Sequence, residues 1–96
     1  MKINFNKDNG ILSAALEGRL DTTTAPELES FFESNYDGKC SIVIDFKKLS
    51  YISSAGLRVL LAAQKKTKGA MKLVNVSEAV MEVFEITGFA DILVIE

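Results

Sequence analysis

The chain has 96 residues, 48% of them hydrophobic and 25% charged, a composition that builds a packed globular domain and argues against disorder. Eleven basic residues against 13 acidic ones leave a net charge of −2, so a nucleic-acid partner is not expected. No histidine is present and there is one cysteine, which removes the commonest hydrolase and zinc designs and any internal disulfide. The N-terminus lacks a signal-peptide core, and no apolar run approaches the ~20 residues of a membrane span. A single domain over residues 1–96, soluble, cytoplasmic and kept in a reducing compartment, is the expectation.

Residues 1–6 alternate, with Ile3 and Phe5 on one side and Lys2, Asn4 and Asn6 on the other, as in a strand with one wet face. Asn9-Gly10 supplies the positive φ angles of a tight hairpin, and residues 11–17 read as the returning strand. The two strands should pair antiparallel, the first of them at a sheet edge. Thr24 followed by Glu27 has the form of a capping box, and Pro26 is tolerated in a first turn. A helix is predicted over about residues 25–34, with Leu28, Phe31 and Phe32 on its core-facing stripe. Asp21, just before it, reads either as a local cap for the threonine amides or as a surface group at a functional end of the sheet.

Gly38 is the expected left-handed residue of the next connector. Cys40 reads as a buried structural thiol, since no base for a nucleophile stands near it in the sequence. The run Ile42-Val43-Ile44 predicts a central strand over residues 41–46, apolar on both sides and therefore covered on both. After Tyr51-Ile52 the chain turns through Ser53-Ser54-Ala55-Gly56 into a second helix, capped by Ser53 or Ser54 and stopped by Gly69. A hydroxyl among free N–H groups at a helix start is a place for an anion, because those groups and the helix dipole both favour negative charge. Lys65, Lys66 and Lys68 read as a solvated helix end that suits the negative end of the dipole. A strand over residues 71–76, a third helix capped by Ser77 and ended by Gly88, and a last strand over residues 92–95 complete the order ββαβαβαβ. That alternation requires an α/β fold with a mixed sheet and helical crossovers. Walker-type and GxGxxG glycine loops are absent, as is any clear metal-binding cluster, so neither a cofactor, a metal nor catalysis is expected.

Two segments, GRLDTTTAPEL entering the first helix and LSYISSAGLRVLL entering the second, together with the early hairpin, make the chain resemble a STAS domain of the anti-sigma factor antagonists. The resemblance covers essentially the whole length. It implies a phosphorylation-switched binding module and no enzyme: the unmodified antagonist binds a serine-kinase anti-sigma factor and frees a sigma factor. Phosphorylation at the turn ends that binding, and a serine phosphatase resets it. The family turn reads Asp-Ser-Ser/Thr-Gly-Leu. By that resemblance Ser54 is the phosphoacceptor, Ser53 stands where the family has aspartate, Ala55 replaces the second hydroxyl residue, and Gly56 and Leu57 match. The partner surface it implies takes in Asp21 and Thr22 from the first segment, with Ser53, Ala55, Gly56, Leu57 and Arg58 from the second. The alternative is a transporter-associated STAS adaptor, a cytosolic subunit docked on a permease or ATPase without inserting in the membrane and without a phosphoswitch.

Overall fold

The computed structural model describes residues 1–96. The strands are β1 (Lys2–Asp8), β2 (Ile11–Leu20), β3 (Ser41–Ile52), β4 (Met71–Val74) and β5 (Val94–Ile95). The helices are α1 (Ala25–Asn35), α2 (Ser54–Lys66) and α3 (Glu78–Thr87), and a 3-10 turn, Phe89–Asp91, precedes β5. The strands form one mixed sheet in the order β1-β2-β3-β4-β5. β1 and β2 pair antiparallel through the Asn9-Gly10 turn, whose φ angles of 52° and 75° are those a two-residue hairpin needs. All later pairs are parallel, each reached through a helical crossover.

Three crossovers stepping the same way across a sheet, each right-handed, deposit their helices on one face. The burial pattern follows from this. Leu12, Ala14 and Leu16 of β2, Ile42, Ile44 and Phe46 of β3, and Met71 and Leu73 of β4 are buried beneath the helices. Leu28 and Phe31 of α1, Leu57 and Leu60 of α2, and Val80 and Phe84 of α3 fill the other side of that layer. Phe31 meets Phe5 edge-on at 5.0 Å between ring centroids, and Phe84 lies 6.2 Å from Phe46, so both outer helices are fixed by aromatic pairs. Cys40 is buried in the same core.

The central strand is therefore not covered on both faces, as its apolar run predicts. Val43, Asp45, Lys72 and Val74 point to the opposite face and are only half-buried, and Ser13 there is exposed. The strand is also longer than residues 41–46. It runs on to Ile52, because β2 continues to Leu20 and keeps pairing with it after two register shifts, at Ala15/Glu17 and Gly18/Arg19. The last strand is shorter than predicted, two residues, since Ile92 and Leu93 are held in the turn that follows the 3-10 helix, their amides donating to Phe89 O at 3.0 and 2.9 Å. The capping box is absent: Thr24 makes no side-chain cap bond, and its hydroxyl instead donates to Arg19 O at 2.8 Å and accepts from Asp21 N at 2.8 Å. Ser77 does cap α3, accepting from Val80 N, and Gly88 ends that helix in the left-handed region at φ 82°.

Candidate functional site

Because β2 and β3 are parallel, their C-terminal ends lie at the same edge of the sheet, with Leu20 opposite Ile52. The next residue of each chain segment is therefore brought alongside the other: Asp21 leaves β2 where Ser53 leaves β3. The junction is closed by the Ser53 N–H donating to Leu20 O at 2.9 Å. Ser53 is extended (φ −110°, ψ 174°) and occupies the N-cap position of α2, but its hydroxyl makes no cap bond and is buried without a hydrogen-bond partner. Ser54 is the first helical residue and is exposed, while the helix proper begins with Leu57 N–H donating to Ser53 O at 3.0 Å. The amides of Ser54, Ala55 and Gly56 thus precede the first intrahelical bond and have no carbonyl of their own helix to meet.

The approach of α2 to the sheet depends on Gly56. A Cβ there would stand 2.6 Å from Leu20 Cγ and 3.2 Å from Ile52 Cγ1. Gly56 and Leu57 are both buried, against the expectation that they lie on a partner surface. The first turn of α2 presses Gly56 onto Leu20 and Ile52 and buries Leu57 in the core, so the two seat Ser54 and offer a partner no side chain. Ser54 and Arg58 are exposed, with Ala55 and Ser53 half-buried beside them; Thr22 is exposed on the neighbouring loop.

Asp21 is held as a structured carboxylate. One oxygen, Oδ1, accepts from Thr23 Oγ1 at 2.7 Å, Thr23 N at 3.0 Å and Thr24 N at 3.1 Å. The Thr23 hydroxyl above all, then the amides of Thr24 and Thr23, favour the charged form and hold the carboxyl at about 2. The other oxygen, Oδ2, faces Arg19 Nε at 3.6 Å. The Arg19 guanidinium lies 4.2 Å over the Tyr51 ring. Arg19 and Tyr51 are thus part of this end of the sheet, and sequence reasoning missed both. The signal available was weak: their adjacency depends on the register shift between Gly18 and Arg19, which no local pattern announces.

A shallow, mostly apolar cleft of about 320 Å³ lies at the opposite end of the sheet, lined by Ile11, Val43, Met71 and Val94 among others. No three or more His, Cys, Asp or Glu side chains come together as metal ligands. No helix is long and apolar enough to cross a membrane.

The structure is thus a mixed α/β sheet with its helices on one face and an exposed serine at a strand-to-helix turn. The STAS domain profile matches residues 2–96, and the chain belongs to that family. It is 40% identical to BtrV of Bordetella bronchiseptica, named as a candidate anti-sigma factor antagonist, over 96% of this chain and 83% of that one. It is 29% identical to the anti-sigma-B factor antagonist of Bacillus subtilis, over 97% of this chain and 88% of that one. Among solved structures, an anti-sigma factor antagonist from Mycobacterium paratuberculosis superposes with a TM-score of 0.86 at 23% identity, over 98% of this chain and 83% of that one. The phosphorylated form of SpoIIAA, a Bacillus cell fate determinant, superposes with a TM-score of 0.73 at 18% identity, over 99% and 91%. Those two likenesses are of fold.

Proposed function

We propose that this protein is an anti-sigma factor antagonist, a cytoplasmic binding module that sequesters a serine-kinase anti-sigma factor and is turned off by phosphorylation of Ser54. The observation that carries the reading is the position of Ser54: exposed, first in α2, and flanked by small residues in a turn that matches the family's at Gly56 and Leu57. In the transfer, Ser54 Oγ attacks the γ-phosphorus of ATP held by the kinase, the serine proton passes to a base of the kinase, and the bond from that phosphorus to the bridging oxygen breaks so that ADP departs. The protein itself needs no catalytic group, and a serine phosphatase restores the hydroxyl.

The modification suits the fold. A phosphate brings roughly −1.5 to −2 charges to a place where backbone N–H groups and the positive end of the helix dipole favour it. The domain stays folded while the sign of the docking surface changes. A partner whose own pocket holds nucleotide phosphates then meets like charge, which costs several kcal/mol at an interface; every ~1.4 kcal/mol is tenfold in affinity, so a loss of ~100-fold or more is expected. Asp21, Thr22, Ala55 and Arg58 form the accessible rim of that surface, with Ser53 half-buried beside them and its hydroxyl turned inward.

The test is reconstitution with the serine-kinase anti-sigma factor of the same cell and MgATP. Intact-mass analysis should find one added phosphate, mapping to Ser54 and absent from Ser54→Ala. Retention of full kinase affinity by Ser54→Asp, with no phosphate on either serine of the wild type, would leave a passive adaptor and overturn the reading.

A further inference from the structure

Arg58 stands four residues after Ser54 on α2, one turn along the same face of the helix, and both are exposed. It has no carboxylate to answer. The ion pairs of the molecule are Lys7 with Asp37, Arg19 with Asp21, and Lys72 with Glu96. α2 contains no acidic residue, and the positions three or four away from Arg58, namely Ala55, Leu61 and Ala62 besides Ser54, are uncharged. Within the unmodified domain, then, Arg58 is a cation with no partner, beside a turn that carries no negative charge.

A phosphate on Ser54 supplies that charge. Side chains on a helix lean toward its N-terminus, so Arg58 reaches back over the turn that carries Ser54. Residues four apart have Cβ atoms ~5–6 Å from each other, a gap shorter than an extended arginine, and the anion-before-cation order is the favourable one. The planar guanidinium offers two parallel N–H groups to phosphate oxygens, which a lysine cannot do.

We infer that Arg58 closes on the phosphate carried by Ser54 as an i to i+4 clamp within α2, and that modification thereby withdraws the one cation of the helix's first two turns from the docking surface. The inference rests on Ser54 being the phosphoacceptor. One modification then acts twice: it adds an anion, and it occupies the guanidinium that in the unmodified domain is free for a partner's carboxylate.

The experiment installs phosphoserine at position 54 during translation, so that no kinase is needed, in the wild type, Arg58→Gln and Arg58→Lys. The second phosphate pKa is read by phosphorus NMR, and melting of each protein is compared with its unphosphorylated form. The clamp predicts a phosphate pKa in the wild type about half a unit below that of Arg58→Gln, with Arg58→Lys between them. It also predicts that the change in melting temperature on phosphorylation is about 2–4 °C more favourable in the wild type, and that both differences shrink in ~1 M salt. Equal phosphate pKa values and equal melting shifts in wild type and Arg58→Gln overturn the clamp, whatever the switch does. A phosphoserine protein that binds the anti-sigma kinase as tightly as the unmodified one overturns the switch instead, with the NMR result for the clamp unaffected.

Discussion

Gly56 of α2 lies directly on Leu20 of β2: a Cβ on the glycine would come within 2.6 Å of Leu20 Cγ and 2.9 Å of its Cδ2. Leu20 is fully buried and Ile52 closes the other side at 3.2 Å, so neither neighbour has room to yield. The glycine lets the helix start at the sheet surface, which puts Ser54 at the rim and Ser53 against the end of β2. Substitution to alanine gains up to ~1 kcal/mol of helix propensity but incurs an overpacking cost of about 1–3 kcal/mol. Gly56→Ala is expected to lower stability in urea denaturation and Gly56→Val to lower it further. An alanine variant more stable than the wild type would show that the helix start can lift off the sheet freely.

Asp21 should make acid stability steeper. Its carboxyl is held at about 2 in the folded protein against an ordinary 3.8, so its contribution is fully present above pH ~4 and is lost as pH falls toward 2. Asp37 acts in the same direction: the Lys7 ammonium at 2.7 Å, then the amides of Lys39 and Cys40, hold its carboxyl well below the usual range. The measurement is therefore a difference. Melting curves of Asp21→Asn and wild type should converge as pH falls from 4 to 2, and parallel curves would remove the carboxylate's role.

The same residue separates capping from docking. Oδ1 is committed to Thr23 and Thr24, while Oδ2 meets only Arg19 at 3.6 Å and remains available to a partner. Asp21→Ala is expected to weaken affinity for the anti-sigma kinase in titration calorimetry as well as lowering the melting temperature. Unchanged affinity with a lowered melting temperature would make Asp21 a local cap alone.

Ser53 and Ser54 are adjacent hydroxyls in opposite environments. The Ser53 hydroxyl is buried without a partner, and Ser54 is exposed. Ser53→Ala should still take one phosphate from the kinase and should be neutral or slightly stabilising, because it removes a buried polar group that has no hydrogen bond. Phosphate on Ser53 in place of Ser54, mapped by tandem mass spectrometry, would require the start of α2 to open.

Ser77 gives a control remote from the docking surface. Its hydroxyl accepts from Val80 N at 3.3 Å, so Ser77→Ala should cost ~1 kcal/mol in denaturant unfolding and leave kinase affinity alone. A change in affinity equal to that of Asp21→Ala would mean that global stability, rather than the rim around Ser54, governs binding.

What the sequence determined by itself was local. Asn9-Gly10 makes its turn, Ser77 caps α3 and Gly88 ends it, because each acts through its own dihedral angles or through residues three or four positions away. The alternation in residues 1–6 likewise told which side of the first strand faces the core, and the small residues after Ile52 marked the start of α2 while leaving open which of Ser53 and Ser54 takes the N-cap position, which is Ser53. Only the tertiary structure decided which faces of the sheet are covered, since that depends on three crossovers stepping the same way rather than on the apolarity of Ile42-Val43-Ile44. Thr24 shows the same limit on a smaller scale: its spacing from Glu27 fits a capping box, yet its hydroxyl goes to Arg19 O because β2 extends to Leu20 and brings that carbonyl within reach. The stacking of Arg19 on Tyr51 and the seat of Gly56 on Leu20 join residues 32 and 36 positions apart (19 to 51, 20 to 56) through a register that shifts twice. No short window of sequence contains both partners of such a contact, so packing alone could place them together.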